Sequence, residues 1–153
     1  MLIRRATVID AEAIARVHVD TWQAAYRGQM PDALLDGLQV AGRVDSWTQI
    51  LQKDESKTFV AVMDNEIAGF CSLMPSRDAD ADKKYIGEIA AIYVAPGHWH
   101  KGIGTKLCEE AVKAARKDGY AKLTLWVLTS NAPAQNFYKR LGFVKAGAEK
   151  TMD

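Results

Sequence analysis

The chain has only two cysteines in 153 residues, Cys71 and Cys108, and they have neither metal-ligand nor redox spacing. Cys71 lies in a strand-like run and Cys108 on an amphipathic helix, so both are expected as small buried apolar residues. A catalytic thiol would have no partner visible in the sequence, and no metal site is expected. Charge of one sign is also missing. The formal net charge is +1, which leaves no bulk field to favour nucleic acid or an anionic membrane. No apolar run approaches the ~18 residues of a membrane span, and there is no N-terminal apolar stretch and no lipidation signal in Thr151-Met152-Asp153. A cytoplasmic protein is the expectation, with neither nucleic acid nor membrane as partner. Linkers, internal repeats and low-complexity segments are absent, and residues 1–153 suit one domain that buries about 70% of its unfolded surface.

What the sequence does contain is an alternation of strand-like and helical periodicity. Residues 2–6 read as a strand, and Thr7-x-x-Asp10 follows as a capping-box variant. Ile14, Val17, His18 and Trp22 then recur at three- and four-residue spacings, so one apolar face of a helix is expected to about Tyr26, ended by Gly28. Pro31 opens a short helix through Leu34, Leu35 and Leu38, and another carries Val44, Trp47, Ile50 and Leu51 on one side. Residues 58–63 and 66–73 form a hairpin around Asp64-Asn65, a pair that tolerates the positive φ of a two-residue turn. The charged stretch 77–84 reads as a solvated loop.

Residues 86–118 hold most of a buried strand, expected from about Lys84 to Val94, then a short basic loop with two glycines, and a helix stopped by Gly119. A helix start leaves several backbone N–H groups unpaired and carries partial positive charge. Gly102 and Gly104 would let a bulky anion approach those groups, although glycines between a strand and a helix also serve as plain turn residues. Residues 123–128 read as another buried strand, 131–141 as a short helix ended by Gly142, and 143–149 as a last strand. The order of elements predicts a three-layer α/β (α+β) domain with a mixed sheet flanked by helices.

Two segments carry more information than the glycines alone. One is Tyr93-Val94-Ala95-Pro96 followed by Trp99-His100-Lys101-Gly102-Ile103-Gly104; the other is Asn131-Ala132-Pro133-Ala134 followed by Phe137-Tyr138-Lys139-Arg140-Leu141-Gly142-Phe143. Together and in this order they resemble the GNAT superfamily of N-acetyltransferases, most strongly over residues 87–143. One position departs from the family pattern: the loop usually begins with Gln or Arg, and here it begins with Trp99. That removes one polar side chain from the phosphates, for which Lys101, His98 or His100 could compensate.

The resemblance implies acetyl-CoA as acyl donor and a sheet splayed between its fourth and fifth strands, where the thioester enters. Ile92, Tyr93 and Val94 would pair through their backbone with the pantetheine arm as with an added strand. The N–H of Ile92 would hold the oxyanion. His100, Lys101, Gly102, Ile103, Gly104 and Thr105 would hold the pyrophosphate, with Trp99 counted among the cofactor-binding residues of the loop, and Asn131 would contact the pantetheine arm or order the splayed strand. Tyr138 occupies the family's tyrosine position, where a phenol can protonate the departing thiolate; the plainer alternative is a structural tyrosine packed on the cofactor. Glu88, four residues before Ile92, is the candidate base for the amine, against the plainer reading of a strand-end glutamate in a salt bridge.

The acceptor is expected opposite the cofactor, walled by Trp22, Tyr26 and Met30, and an aromatic wall suits an amine cation or an apolar side chain. His18, within an apolar stripe, reads as a packed histidine rather than a base. The expected activity is transfer of acetyl from acetyl-CoA to a primary amine by direct attack. The alternatives are transfer of another acyl group, transfer to a hydroxyl, and a non-catalytic CoA-binding regulatory module. The family often forms homodimers, but nothing in the sequence reads as a dimer seam.

Overall fold

The computed structural model describes residues 1–28, 30–53, 56–78, 82, 84–127 and 132–144. Five strands form one sheet in the order β1 (Leu2–Arg5), β2 (Lys57–Met63), β3 (Glu66–Pro75), β4 (Ile86–Val94) and β5 (Lys122–Thr124). The first four are antiparallel to their neighbours and β4–β5 is parallel, so the sheet is mixed. Helices α1 (Ala11–Ala25), α2 (Asp32–Asp36) and α3 (Val40–Gln52) fill the gap between β1 and β2, α4 (Ile103–Lys117) joins β4 to β5, and α5 (Ala132–Arg140) follows.

The turns are where residue chemistry demands them. Asp64 and Asn65 both take positive φ, 51° and 64°, as the tight turn between β2 and β3 requires. Gly119 ends α4 at φ 85°. At the start of α1 the Thr7 N–H donates to Asp10 Oδ2 at 2.8 Å, while Arg4 grips both Asp10 oxygens at 2.8 and 2.9 Å. Two apolar layers cover the sheet. On one face Phe59, Ala61, Cys71 and Ile89 meet Ile103, Leu107, Cys108 and Ala111 of α4; on the other Val60 and Phe70 meet Ile14 and Val17 of α1 and Trp47 of α3. This is the three-layer arrangement the element order predicts. Both cysteines are buried and unbridged, and burial pushes the Cys108 thiol up to about 11 and Cys71 higher still.

Several strand boundaries differ from the sequence reading, most of them by one or two residues. β4 begins at Ile86, and β5 ends at Thr124 although the apolar run continues to Leu128, which lies outside the described residues. The run ends as a strand because β4 pairs with β5 only from Ile86–Lys122 to Glu88–Thr124. The last strand expected over 143–149 falls outside the described residues beyond Val144, and Phe143 and Val144 carry no strand assignment.

The register from β3 to β4 passes from Leu73–Ile89 to Ser72–Ala91, which makes Ala90 an extra residue. The bulge reverses the alternation along β4. Ile89 and Ile92, three apart, both pack on the α4 side, and Ala91 and Tyr93 turn to the α1 and α3 side. That reversal brings the Tyr93 ring under α1.

His18 of α1 stacks on Tyr93 (centroids 5.3 Å apart), and its Nδ1 accepts the Trp47 indole N–H at 3.1 Å. Burial first, then the charge of Arg43, lowers its pKa from 6.5 to about 4, so the folded protein holds His18 neutral. Between those values the unfolded chain binds the extra proton, so stability falls as pH drops through this window. Denaturant unfolding at about pH 4.5 should show about 2 kcal/mol less stability from this group than at neutral pH, and His18→Gln should lose most of that difference.

Candidate active site

Beyond Glu88 the two parallel segments part, and a narrow cleft of about 60 Å³ opens between them. Residues 89–93 of β4 form one wall and Leu125, Trp126 and Val127 the other. Tyr26 of α1's end and Ala134 and Tyr138 of α5 close it.

The backbone of β4 can be oriented from its pairing. Ala95 N–H donates to Ala68 O at 2.8 Å, toward β3. Successive antiparallel residues alternate, so the N–H and C=O groups of Ile92 and Val94 point away from β3, to the open side. The Val94 carbonyl is already engaged there, since it accepts the Trp99 indole N–H at 2.7 Å and the Thr21 hydroxyl at 3.2 Å. Ile92 and Tyr93 line the cleft; Val94 lies beyond it.

Three phenols converge on this region. Tyr93 accepts the Trp22 indole N–H at 2.9 Å, and burial pushes its hydroxyl up to about 12 against the opposing pull of that bond. Trp22 and Tyr26 meet edge to face at 5.0 Å. Tyr138 is half-buried beside Phe137 and Phe143, and burial, followed by the neighbouring Tyr93, holds its phenol well above the ordinary tyrosine range. It is therefore a protonated hydroxyl at neutral pH. Of the residues expected to wall the acceptor, Tyr26 lines the cleft, Trp22 acts one shell out through Tyr93, and Met30 sits past the end of α1 with its N–H on the Tyr26 carbonyl.

Glu88 is 1% exposed and does not line the cleft. Its Oε1 accepts the backbone N–H of Arg77 at 3.1 Å, and its Oε2 accepts Arg77 Nε–H at 2.9 Å together with Nη2–H. The stretch expected to be a solvated loop thus begins with a residue fastened to β4. The next residue, Asp78, accepts the Trp126 indole N–H at 2.9 Å, so this loop also reaches the far wall of the cleft. Arg77 and Asp78 are site-forming residues that the sequence reading missed; the available signal was a glutamate inside a buried strand, which demands a partner.

At the other end of β4 a 3₁₀ turn, Pro96–His98, leads into the loop before α4. His100 and Gly102 both take left-handed φ, 65° and 79°, and Gly102 is the N-cap of α4. Among the described residues no side chain caps that end, and no acidic residue stands in its first turn. The N–H groups of Ile103, Gly104 and Thr105 therefore have no intrahelical partner and face their own partial positive charge. Among the described residues a Cβ on Gly102 would meet nothing within 4 Å, which leaves the approach open. Gly104 has a different reason to be glycine: a Cβ there would stand 3.1 Å from the Phe137 ring, so its absence lets α5 pack against α4. Asn131 lies outside the described residues.

The chain matches the acetyltransferase (GNAT) family over residues 14–143, and it belongs to that family. The α4 N-terminus, with open space at Gly102 among the described residues, is of the kind that holds a pyrophosphate. An uncharacterised N-acetyltransferase of Archaeoglobus fulgidus is 31% identical over 138 residues, spanning 90% of this chain and 89% of its own length. Another, from Methanocaldococcus jannaschii, is 35% identical over 94 residues, 61% of this chain and only 42% of the relative. Among solved structures, the PaiA N-acetyltransferase of Thermoplasma acidophilum in complex with coenzyme A superposes with a TM-score of 0.80 at 22% identity, over 97% of this chain and 92% of that one. Among the described residues, no helix is long and apolar enough to cross a membrane.

Proposed function

We propose that this protein transfers the acetyl group of acetyl-CoA to a primary amine, which attacks the thioester directly in the cleft between β4 and β5. The observation that carries the reading is the cleft itself, lined by both Ile92, whose N–H points outward, and the protonated Tyr138. In this reading the amine nitrogen bonds to the acetyl carbon as its oxygen takes up charge, and the Ile92 N–H holds that oxyanion. As the carbon–sulfur bond breaks, Tyr138 gives its proton to the sulfur. The amine's proton leaves through water toward Glu88, because the carboxylate lies outside the cleft and is occupied by Arg77. Tyr26, with Trp22 behind Tyr93, forms an aromatic wall suited to an amine cation or an apolar body. The cleft's size favours acetyl over a longer acyl chain.

The test is calorimetry with acetyl-CoA followed by a thiol-release screen across amino acids, peptide N-termini, polyamines and amino sugars. Binding with release on one amine class is expected. Binding without release on any class would make the chain a CoA-binding module, and no binding would remove both readings. Gly102→Ala should weaken CoA binding about tenfold, by placing a methyl where the anion approaches, and cost about 1 kcal/mol of stability from the left-handed φ. Calorimetry and thermal melts read the two effects separately.

A further inference from the structure

The geometry points to Trp99 as a positioning residue for the acyl donor: its indole N–H, seated on the Val94 carbonyl, terminates the open edge of β4 and sets the shape of the loop that offers the α4 N-terminus to the pyrophosphate. A carbonyl oxygen has two lone pairs, and at Val94 both are used, one by Trp99 and one by the buried Thr21. An arm lying along β4 as an added strand therefore finds Ile92 and the Val94 N–H available, but not the Val94 carbonyl. Its pairing must stop there, and this fixes how far the chain of the donor runs along the strand before it turns toward α4.

Between the end of β4 and α4 the backbone passes through an extended Trp99 (φ −63°, ψ 153°) to left-handed His100 and Gly102. A non-glycine residue in that region is costly and persists only where surrounding bonds hold it. The other hydrogen bonds of the loop are local, His98 N–H to Ala95 O and Trp99 N–H to Pro96 O. The bond that ties its middle back to the sheet is the indole's. Trp99 remains 38% exposed, so burial of the ring is a weak anchor and the N–H carries the role. This gives a function to the one residue of the loop that departs from the family pattern. A glutamine there can also donate an N–H, whereas a phenylalanine keeps a ring and loses the donor.

The inference rests on the reading of the α4 N-terminus as the pyrophosphate site, and the experiment separates the two. Wild type, Trp99→Phe and Trp99→Gln are compared by calorimetry with CoA, and by steady-state kinetics with acetyl-CoA and with S-acetylpantetheine, which lacks the pyrophosphate. For Trp99→Phe, CoA affinity should fall and the KM for acetyl-CoA rise, each about tenfold, the scale of one well-placed hydrogen bond. Its kcat should stay within about twofold of wild type, and its KM for S-acetylpantetheine should not move. Trp99→Gln should recover most of the loss. A Trp99→Phe variant that keeps wild-type CoA affinity, or loses both donors equally, overturns the role. A wild type that uses S-acetylpantetheine as well as acetyl-CoA overturns the pyrophosphate site beneath it.

Discussion

Replacing Tyr138 by phenylalanine is expected to lower kcat by about 10²- to 10⁴-fold, the usual range for removing a general acid, while CoA affinity stays close to wild type. Tyr138 lines the same cleft as Ile92, on a helix that packs against α4 through the Phe137–Gly104 contact. Phenylalanine keeps the ring and its contacts with Phe137 and Phe143, so the change removes a proton and little else. A proton donor works only while protonated, and its activity falls as pH rises through its pKa. Burial raises this phenol, so the fall due to Tyr138 should lie above the ~10 of an ordinary tyrosine and be absent over the neutral range. Stopped-flow or thiol-trapping assays across pH would show this. Unchanged turnover in Tyr138→Phe with a good acceptor would mean that the departing sulfur takes its proton from elsewhere.

The second large effect concerns Arg77. Arg77→Ala leaves the Glu88 carboxylate, 1% exposed, with only a backbone N–H from that residue as counterweight. Removing one partner of a buried ion pair strands a charge, and a cost of about 3 kcal/mol is expected, at the low end of the usual range because the Arg77 side chain is itself 54% exposed. In a chain of this size that is a fall in Tm of roughly 6–12 °C. Glu88→Gln should cost less, about 1–2 kcal/mol, since the amide can still accept from Arg77, but should also reduce turnover if the amine's proton travels to this carboxylate. The pair of variants distinguishes the two duties. Loss of stability in both with full turnover in Glu88→Gln would leave Glu88 as the anchor of the loop after β3 and pass the base role to water.

Much of the fold is legible in the sequence because it is written in local chemistry. Asp64-Asn65 sets the hairpin, Thr7 and Asp10 mark the start of α1, and Ile103, Leu107 and Ala111 show which face of α4 is buried. The loop before α4 and the helix that carries Tyr138 are likewise readable as elements from the paired motifs. The bulge at Ala90 was not, although Ile89 and Ile92 carried its signature. Two residues three apart that both pack on one apolar layer cannot share one face of a regular strand. The Arg77–Glu88 pair and the Trp22–Tyr93 bond join residues 11 and 71 positions apart, and no periodicity or spacing rule reaches such contacts. Trp99 was visible as a departure, but its partner, a backbone carbonyl, has no side-chain identity to read. The length of β5 depends on β4 turning away, which is a property of the sheet rather than of residues 123–128.

The central claim is that the parting of β4 from β5 is where the thioester reacts. A crystal structure of the protein with CoA tests it most directly. The account predicts the pyrophosphate on the N–H groups of Ile103, Gly104 and Thr105, the pantetheine arm along Ile92, and the sulfur within hydrogen-bonding reach of the Tyr138 hydroxyl. CoA seated instead in the groove between α4 and Leu141, lined by Val112 and Arg116, with the cleft beside Ile92 left empty, would contradict it.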